Sequence, residues 1–403
     1  MTANLPKTAK VEKQERFQGN NNKSFYEKAL QDVIQQVERN LALFTDQFPS
    51  AHSVDLQYQP VKNADLAYYS DWTSSFWTGM VWLAYELTTE DKYAEVAQKH
   101  VDSFQERLVT RDILNHHDIG FLYSLSCVAG YKLAADEKSK HIALDAAKLL
   151  AMRFREKSGI IQVRGYLEDD THKEKGVFIV DCAMNVPLLF WAAEVTGDQT
   201  YYEKAKRHMD NVARHMIRED GAIYQMFRLD IDTGEALGGW TGQGYADEAC
   251  WSRGQAWAMY GLPLAYRYTK DMAYIEQAKA TANYFLNHLP EDLICNWDLV
   301  FLQQDGQRDT SAAAIAACGL LELAYHLPVL DSDRHLYEEA ALAILTSLTE
   351  NYVIKERQEG TGILAHGVYS LPIDLGVDEC TIWGDYFYME ALIRVLKDWN
   401  PYW

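Results

Sequence analysis

Two kinds of helical pattern alternate along this chain. Segments such as SSFWTGMVWLAYELT (residues 74–88) are rich in Ala, Trp, Phe, Tyr and Leu on every side, whereas the segments that follow them carry Lys, Glu and Asp along one face. A helix that is apolar all round belongs in an interior, and one with a polar stripe belongs at a surface. Short polar turns join the two kinds in ELTTEDKYAEVAQK, KLAADEKSKHIALDAAK, EVTGDQTYYEKAKR, RYTKDMAYIEQAKA and VLDSDRHLYEEAAL, each holding a Thr, Ser or Asp suited to an N-cap. With a helix added at each end, the pattern predicts twelve, over 24–46, 74–88, 91–108, 118–134, 137–157, 182–196, 199–218, 252–269, 271–289, 309–327, 333–352 and 382–398. Six buried and six half-exposed helices predict an all-α, single-domain toroid, an (α/α)6 barrel over 24–403. An open solenoid would repeat more regularly and end in polar caps. The returns between hairpins, about 158–180, 219–250, 290–308 and 354–381, are long, and long ordered loops tend to carry function. Residues 1–23 have basic side chains without an apolar run and are expected to form a disordered or extended leader.

Composition narrows the partners. Hydrophobic residues at 48% and charged residues at 24% are ordinary for a globular chain, but 11 Trp and 25 Tyr in 403 residues are many, and suit either a large core or walls on which sugars stack. A formal charge of -20 without a Lys/Arg cluster argues against nucleic acid. An acidic ligand would need local donors, from Arg side chains or helix N-termini, to overcome that field. The six cysteines show no CxxC spacing and read as buried free thiols rather than a zinc site or a disulfide framework. No apolar run reaches membrane-spanning length, so a cytoplasmic protein with no membrane partner is expected.

Each buried helix begins with chemically able residues: DWTSSFWTGM, HHDIGFLY, VDCAMNV, ACWSRGQAW, QRDTSAAA and CTIWGDYFY. In a closed barrel the inner helices run in one direction, so these starts meet at one rim. Asp118 and Asp181 there have two readings. Either is a good N-cap; two carboxylates on neighbouring inner helices, both among apolar residues, also make an acid/base couple, because one charge raises the proton affinity of the other. Pro187 favours a helix that begins near it, in which case Asp181 is no cap. Arg253 either pairs with an acid or clamps a carboxylate. Trp72 and Trp257 are either core or stacking faces. The tandem His116 and His117 lack the spacing of a metal site, and no cofactor is expected. No GxSxG, P-loop or GxGxxG pattern supports another chemistry.

Together DWTSSFWTGMVWLAYE, HHDIGFLY, VDCAMNVPLLFWAA, GQGYADEACWSRGQAWAMYG and GVDECTIWGDYFYMEAL resemble the unsaturated glucuronyl hydrolases of glycoside hydrolase family 88, from about residue 65 to the C-terminus. The resemblance implies an (α/α)6 barrel and a glycosidase acting on disaccharides released by polysaccharide lyases, whose non-reducing uronate carries a C4=C5 vinyl ether. It implies Asp181 as the general acid/base that protonates C4 and activates water for C5, with Asp118 as its partner. Trp72 and Trp257 then stack on the sugar, Arg253 and Gln243 contact the uronate, and His117 lies beside Asp118. An Asp that serves as the acid must rise well above its ordinary pKa near ~3.9. The sequence also departs from the family pattern, with Tyr166 for a Trp in R-G-W, and with Gln225 and Gly242 where His is common. In SLPIDL, only Ser370 of the streptococcal sulfate-receiving S-x-x-S-x-K remains, with Ile373 and Leu375 at the other positions. Lacking that Lys and second hydroxyl, the chain is expected to prefer non-sulfated or differently sulfated disaccharides. The alternatives are an unsaturated rhamnogalacturonyl hydrolase acting on pectin fragments and a non-catalytic carbohydrate-binding toroid.

Overall fold

The computed structural model describes residues 8–403 except 68–69, 111–112, 170 and 304. The inner ring consists of α2 (Ser74–Thr88), α4 (Ile119–Tyr123) continuing as α5 (Ala129–Ala134), α7 (Pro187–Thr196), α9 (Ser252–Thr269), α11 (Thr310–His326) and α13 (Ile382–Leu396). The outer ring consists of α1 (Lys23–Leu41), α3 (Asp91–Thr110), α6 (Glu137–Ala151), α8 (Gln199–Asn211), α10 (Met272–Asn287) and α12 (Ser332–Ser347). Each inner helix packs on the next and α13 packs back on α2, closing the barrel, while each outer helix lies on its inner partner. Inner helices bury nearly every side chain, as in α2 from Ser74 to Ala84, whereas α8 buries only Ala205, His208 and Met209.

The hairpin turns have a common mechanism. Ala135, Gly197 and Lys270 adopt left-handed φ of 49°, 77° and 57°, ending an inner helix. The next residue, Asp136, Asp198 or Asp271, then accepts hydrogen bonds from the first free amides of the outer helix. Several helices are shorter than the pattern predicts. The chain leaves α6 at Ala151 to pair Phe154–Arg155 with Ile160–Ile161, and α8 and α12 finish in π-helical turns, Val212–Met216 and Leu348–Tyr352. The long returns contribute strands that period-3.6 reading does not detect. Val177–Ile179, Met226–Leu229 and Ala236–Trp240 form an antiparallel sheet, and Gly367–Ser370 pairs with Leu375–Glu379.

The leader is not free over residues 8–22. Val11 and Phe17 are buried, and the carbonyls of Ala9 and Lys10 accept hydrogen bonds from Asn283 and Asn287 of α10. Disorder therefore does not describe this stretch; residues 1–7 lie outside the described residues. Among the described residues no helix is long and apolar enough to cross a membrane, and all six cysteines are buried free thiols.

Candidate active site

A cavity of about 240 Å³ opens at the rim where the inner helices begin. Asp181 enters it from a 3-10 turn, Val180–Met184, that runs directly off the strand Val177–Ile179. The α-helix starts only at Pro187, whose missing N–H and fixed φ suit a first turn, so Asp181 caps nothing. Burial comes first among the influences on this carboxyl and, with the nearby Asp118 charge, outweighs His117 and Arg253 to push it up to about 6. The residue as a whole is half-buried, but its Oδ2 is enclosed and accepts no hydrogen bond from the described residues.

Asp118 is held in the opposite state. It precedes α4 and its side chain makes no cap bond. Burial resists its ionisation, yet the His117 and His116 rings prevail and hold the carboxyl well below the usual range. His117 Nδ1 donates to the Val163 carbonyl at 3.2 Å, and its Nε2 lies 3.0 Å from Asp118 Oδ1 without the alignment of a good hydrogen bond. His116 Nε2 donates to the Ile113 carbonyl, and its Nδ1 accepts from the Asp118 amide at 3.0 Å. Asn185, fully buried, ties the two acids together. Its Nδ2 reaches Asp118 Oδ1 at 3.4 Å and the Asp181 carbonyl at 3.1 Å, while its Oδ1 accepts from the Phe121 amide.

Arg253 pairs with an acid and also borders the cavity. Its guanidinium lies between the rings of Trp251 and Trp383, 4.4 and 5.1 Å from their centroids, and is 1% exposed. It donates to Asp309 Oδ2 at 2.8 Å and to the carbonyls of Val368 and Tyr369, yet still borders the cavity. Asp309 also caps α11 through the Ser311 and Ala312 amides, so one carboxylate fixes both a helix start and the site's buried cation. The Tyr369 carbonyl additionally accepts from Gln243 Nε2, and the Tyr369 hydroxyl accepts from Trp72 Nε1 at 2.8 Å. Gln225 stands behind this wall, accepting from the Gln243 amide and donating to its Oε1.

The cavity thus brings together Asp181, Asp118, Trp72, His117 and Gln243 with Arg253 and Ser370. Trp257 is a correction. It is 0% exposed, wedged between Phe121 and Phe387 at 5.1 and 5.4 Å, and is not on the cavity wall; one turn into α9 it faces the barrel axis, while Trp251 ahead of the helix supplies the aromatic wall. Gly242 and Ile373 border the cavity, Leu375 is half-buried in the hairpin opposite Ser370, and Tyr166 is 64% exposed and off the cavity. Sequence reasoning missed Asn185, Tyr369, Arg164 and Glu174. Only Asn185 left a signal, as a lone amide inside an apolar run. Among the described residues no group of three His, Cys, Asp or Glu side chains is placed to hold a metal.

Residues 47–395 match Glycosyl Hydrolase Family 88. The chain is 45% identical over 376 residues, 93% of each protein, to the unsaturated chondroitin disaccharide hydrolase of Streptococcus pneumoniae. It superposes over 100% of both chains, with a TM-score of 0.95 and 42% identity, on the crystal structure of the unsaturated glucuronyl hydrolase from Streptococcus agalactiae. A variant of that enzyme complexed with dGlcA-GalNAc6S matches over 100% of both chains with a TM-score of 0.87 and 40% identity.

Proposed function

Because the chain belongs to glycosyl hydrolase family 88 and is a glycosidase, we propose that it releases the 4,5-unsaturated uronate from lyase-generated, glycosaminoglycan-type disaccharides by hydrating the vinyl ether. Asp181, protonated, gives its proton to C4. The oxocarbenium character that develops at C5 is met by a water whose proton returns to the Asp181 carboxylate, leaving a hemiketal at C5. That hemiketal opens to a ketone, and the hemiacetal left at C1 expels the second sugar as an alcohol, so one water is consumed and the catalyst is regenerated. Attack does not occur at the anomeric carbon, so the spacing of the two carboxylates does not set a stereochemical outcome.

The observation that carries this reading is the pair of opposed carboxyls: Asp181, pushed up to about 6 with an unpartnered buried oxygen, beside an Asp118 held ionised by two imidazoles. Arg253 gives the uronate carboxylate a buried positive charge in an otherwise acidic protein, and Trp72 and Trp251 supply aromatic walls. Six buried free thiols favour a cytoplasmic location, which cell fractionation would check.

Asp181→Asn tests the assignment. Loss of about 10²–10⁴ in kcat on an unsaturated chondroitin disaccharide, followed by loss of the C=C absorbance, with substrate binding retained, is expected for a general acid/base. Undiminished turnover would remove Asp181 from the mechanism, and the absence of turnover by the unaltered protein would favour a binding toroid.

A further inference from the structure

Beyond the groups assigned to the uronate, the cavity is also lined by Arg164, Glu174, Met226, Gly242, Ser370 and Ile373. The two formal charges among these are not equivalent. Arg164 is already committed to a carboxylate, donating to Asp71 Oδ2 at 3.2 Å. Glu174 is half-buried, and its carboxylate makes no ion pair or hydrogen bond with the described residues. Its own backbone is fixed, the amide donating to His172 and the carbonyl accepting from Val177. The loop that carries it is pinned by Arg228, which donates to the Lys173 carbonyl. The backbone that carries Glu174 is therefore fixed, and its side chain lines the same cavity as Met226, Ile373 and the Ser370 hydroxyl.

We infer that Glu174 is a specificity-determining residue, selecting a second sugar that carries no anionic substituent on the face turned towards it. The inference rests on the proposed reaction and adds a determinant to it. A sulfate beside Glu174 would meet a carboxylate that no cation among the described residues pairs, Arg164 being paired with Asp71, in a concave, partly dehydrated setting where like charges repel more strongly than in water. A hydroxyl or amide N–H, by contrast, finds an acceptor. Discrimination then has two components: the chain lacks a group to welcome sulfate, and it holds one that repels it.

The experiment compares kcat/KM for unsulfated, 4-sulfated and 6-sulfated unsaturated chondroitin disaccharides in the unaltered enzyme, Glu174→Gln and Glu174→Asp. The unaltered enzyme is expected to favour the unsulfated disaccharide at least about tenfold over one or both sulfated forms. Glu174→Gln should cut that ratio by about fivefold or more, mainly through KM for the sulfated substrate, while Glu174→Asp retains it. Raising ionic strength should shrink the ratio modestly in the unaltered enzyme and leave it flat in Glu174→Gln, since salt screens a half-buried charge less than an exposed one. Equal ratios in the unaltered enzyme and Glu174→Gln would overturn the inference, as would a preference for sulfated substrate. Failure of the unaltered enzyme to cleave any of the three would instead count against the proposed reaction.

Discussion

At Asp181 and Asp118, neighbouring carboxyls are driven to opposite protonation states by what surrounds each. Asp181 has burial and a nearby negative charge; Asp118 has two imidazoles. If Asp181 works as an acid, kcat/KM should fall about tenfold per pH unit once pH exceeds about 6, as the protonated fraction declines. Asp118→Asn removes the charge that raises Asp181, so the midpoint of the residual activity should move below about 6; a midpoint that stays put would separate the two groups. Stability follows with its own sign. The folded Asp181 has a higher proton affinity than an unfolded Asp, so its protonated form favours the native state at low pH, and that contribution is lost as pH rises through about 6. Asp181→Asn should therefore stabilise the protein at pH 8, by at most about 3 kcal/mol, and have little effect at pH 4, as read by denaturant melts at both pH values. The identities of these two acids were legible as candidates because each lies shortly ahead of a buried helix among apolar neighbours. Their opposite charge states were not: His116 and His117 directly precede Asp118, but that their rings turn onto its carboxylate, and that Asn185, Arg253 and burial act on Asp181 and Asp118 from other stretches of chain, is decided by the fold.

The starts of the inner helices are where secondary structure becomes chemistry. Asp309 shows how closely the two are joined, because its Oδ1 caps α11 and its Oδ2 neutralises Arg253. Asp309→Asn retains a capable cap but leaves the buried guanidinium without its counter-charge, so a loss of roughly 3–5 kcal/mol in unfolding free energy is expected, together with a higher KM for the uronate substrate. Unchanged stability would mean that the backbone carbonyls of Val368 and Tyr369 alone satisfy Arg253. The strand Gly367–Ser370 matters here because its carbonyls meet both Arg253 and Gln243. Periodicity identified the helices well but ended several too late and saw none of these strands. Short strands of two to five residues become stable only through partners distant in sequence, as Val177–Ile179 does with Met226–Leu229.

The two terminal segments attach to the closed barrel in different ways. Residues 399–403 turn inward, so that the fully buried Trp403 stacks on Phe387 with rings 5.8 Å apart and its Nε1 donates to Glu390. Residues 8–22 lie outside, on α10 and α12, and none of them lines the cavity. Removing residues 1–18 should lower the melting temperature by a few degrees, through the lost burial of Val11 and Phe17, and leave kcat within about twofold; a large loss of activity would connect the leader to the site. By itself the sequence determined the number of helices, their inner and outer character and the rim at which catalytic candidates gather. Those properties arise from side-chain periodicity and from caps within a few residues of the segments they govern. Tertiary structure alone decided that Trp257 packs in the core behind the cavity, that Arg253 is paired and still borders the cavity, and that Glu174 lines it as well. Each depends on the direction in which a side chain leaves its helix or loop and on neighbours contributed by distant stretches of chain, and a linear pattern carries neither.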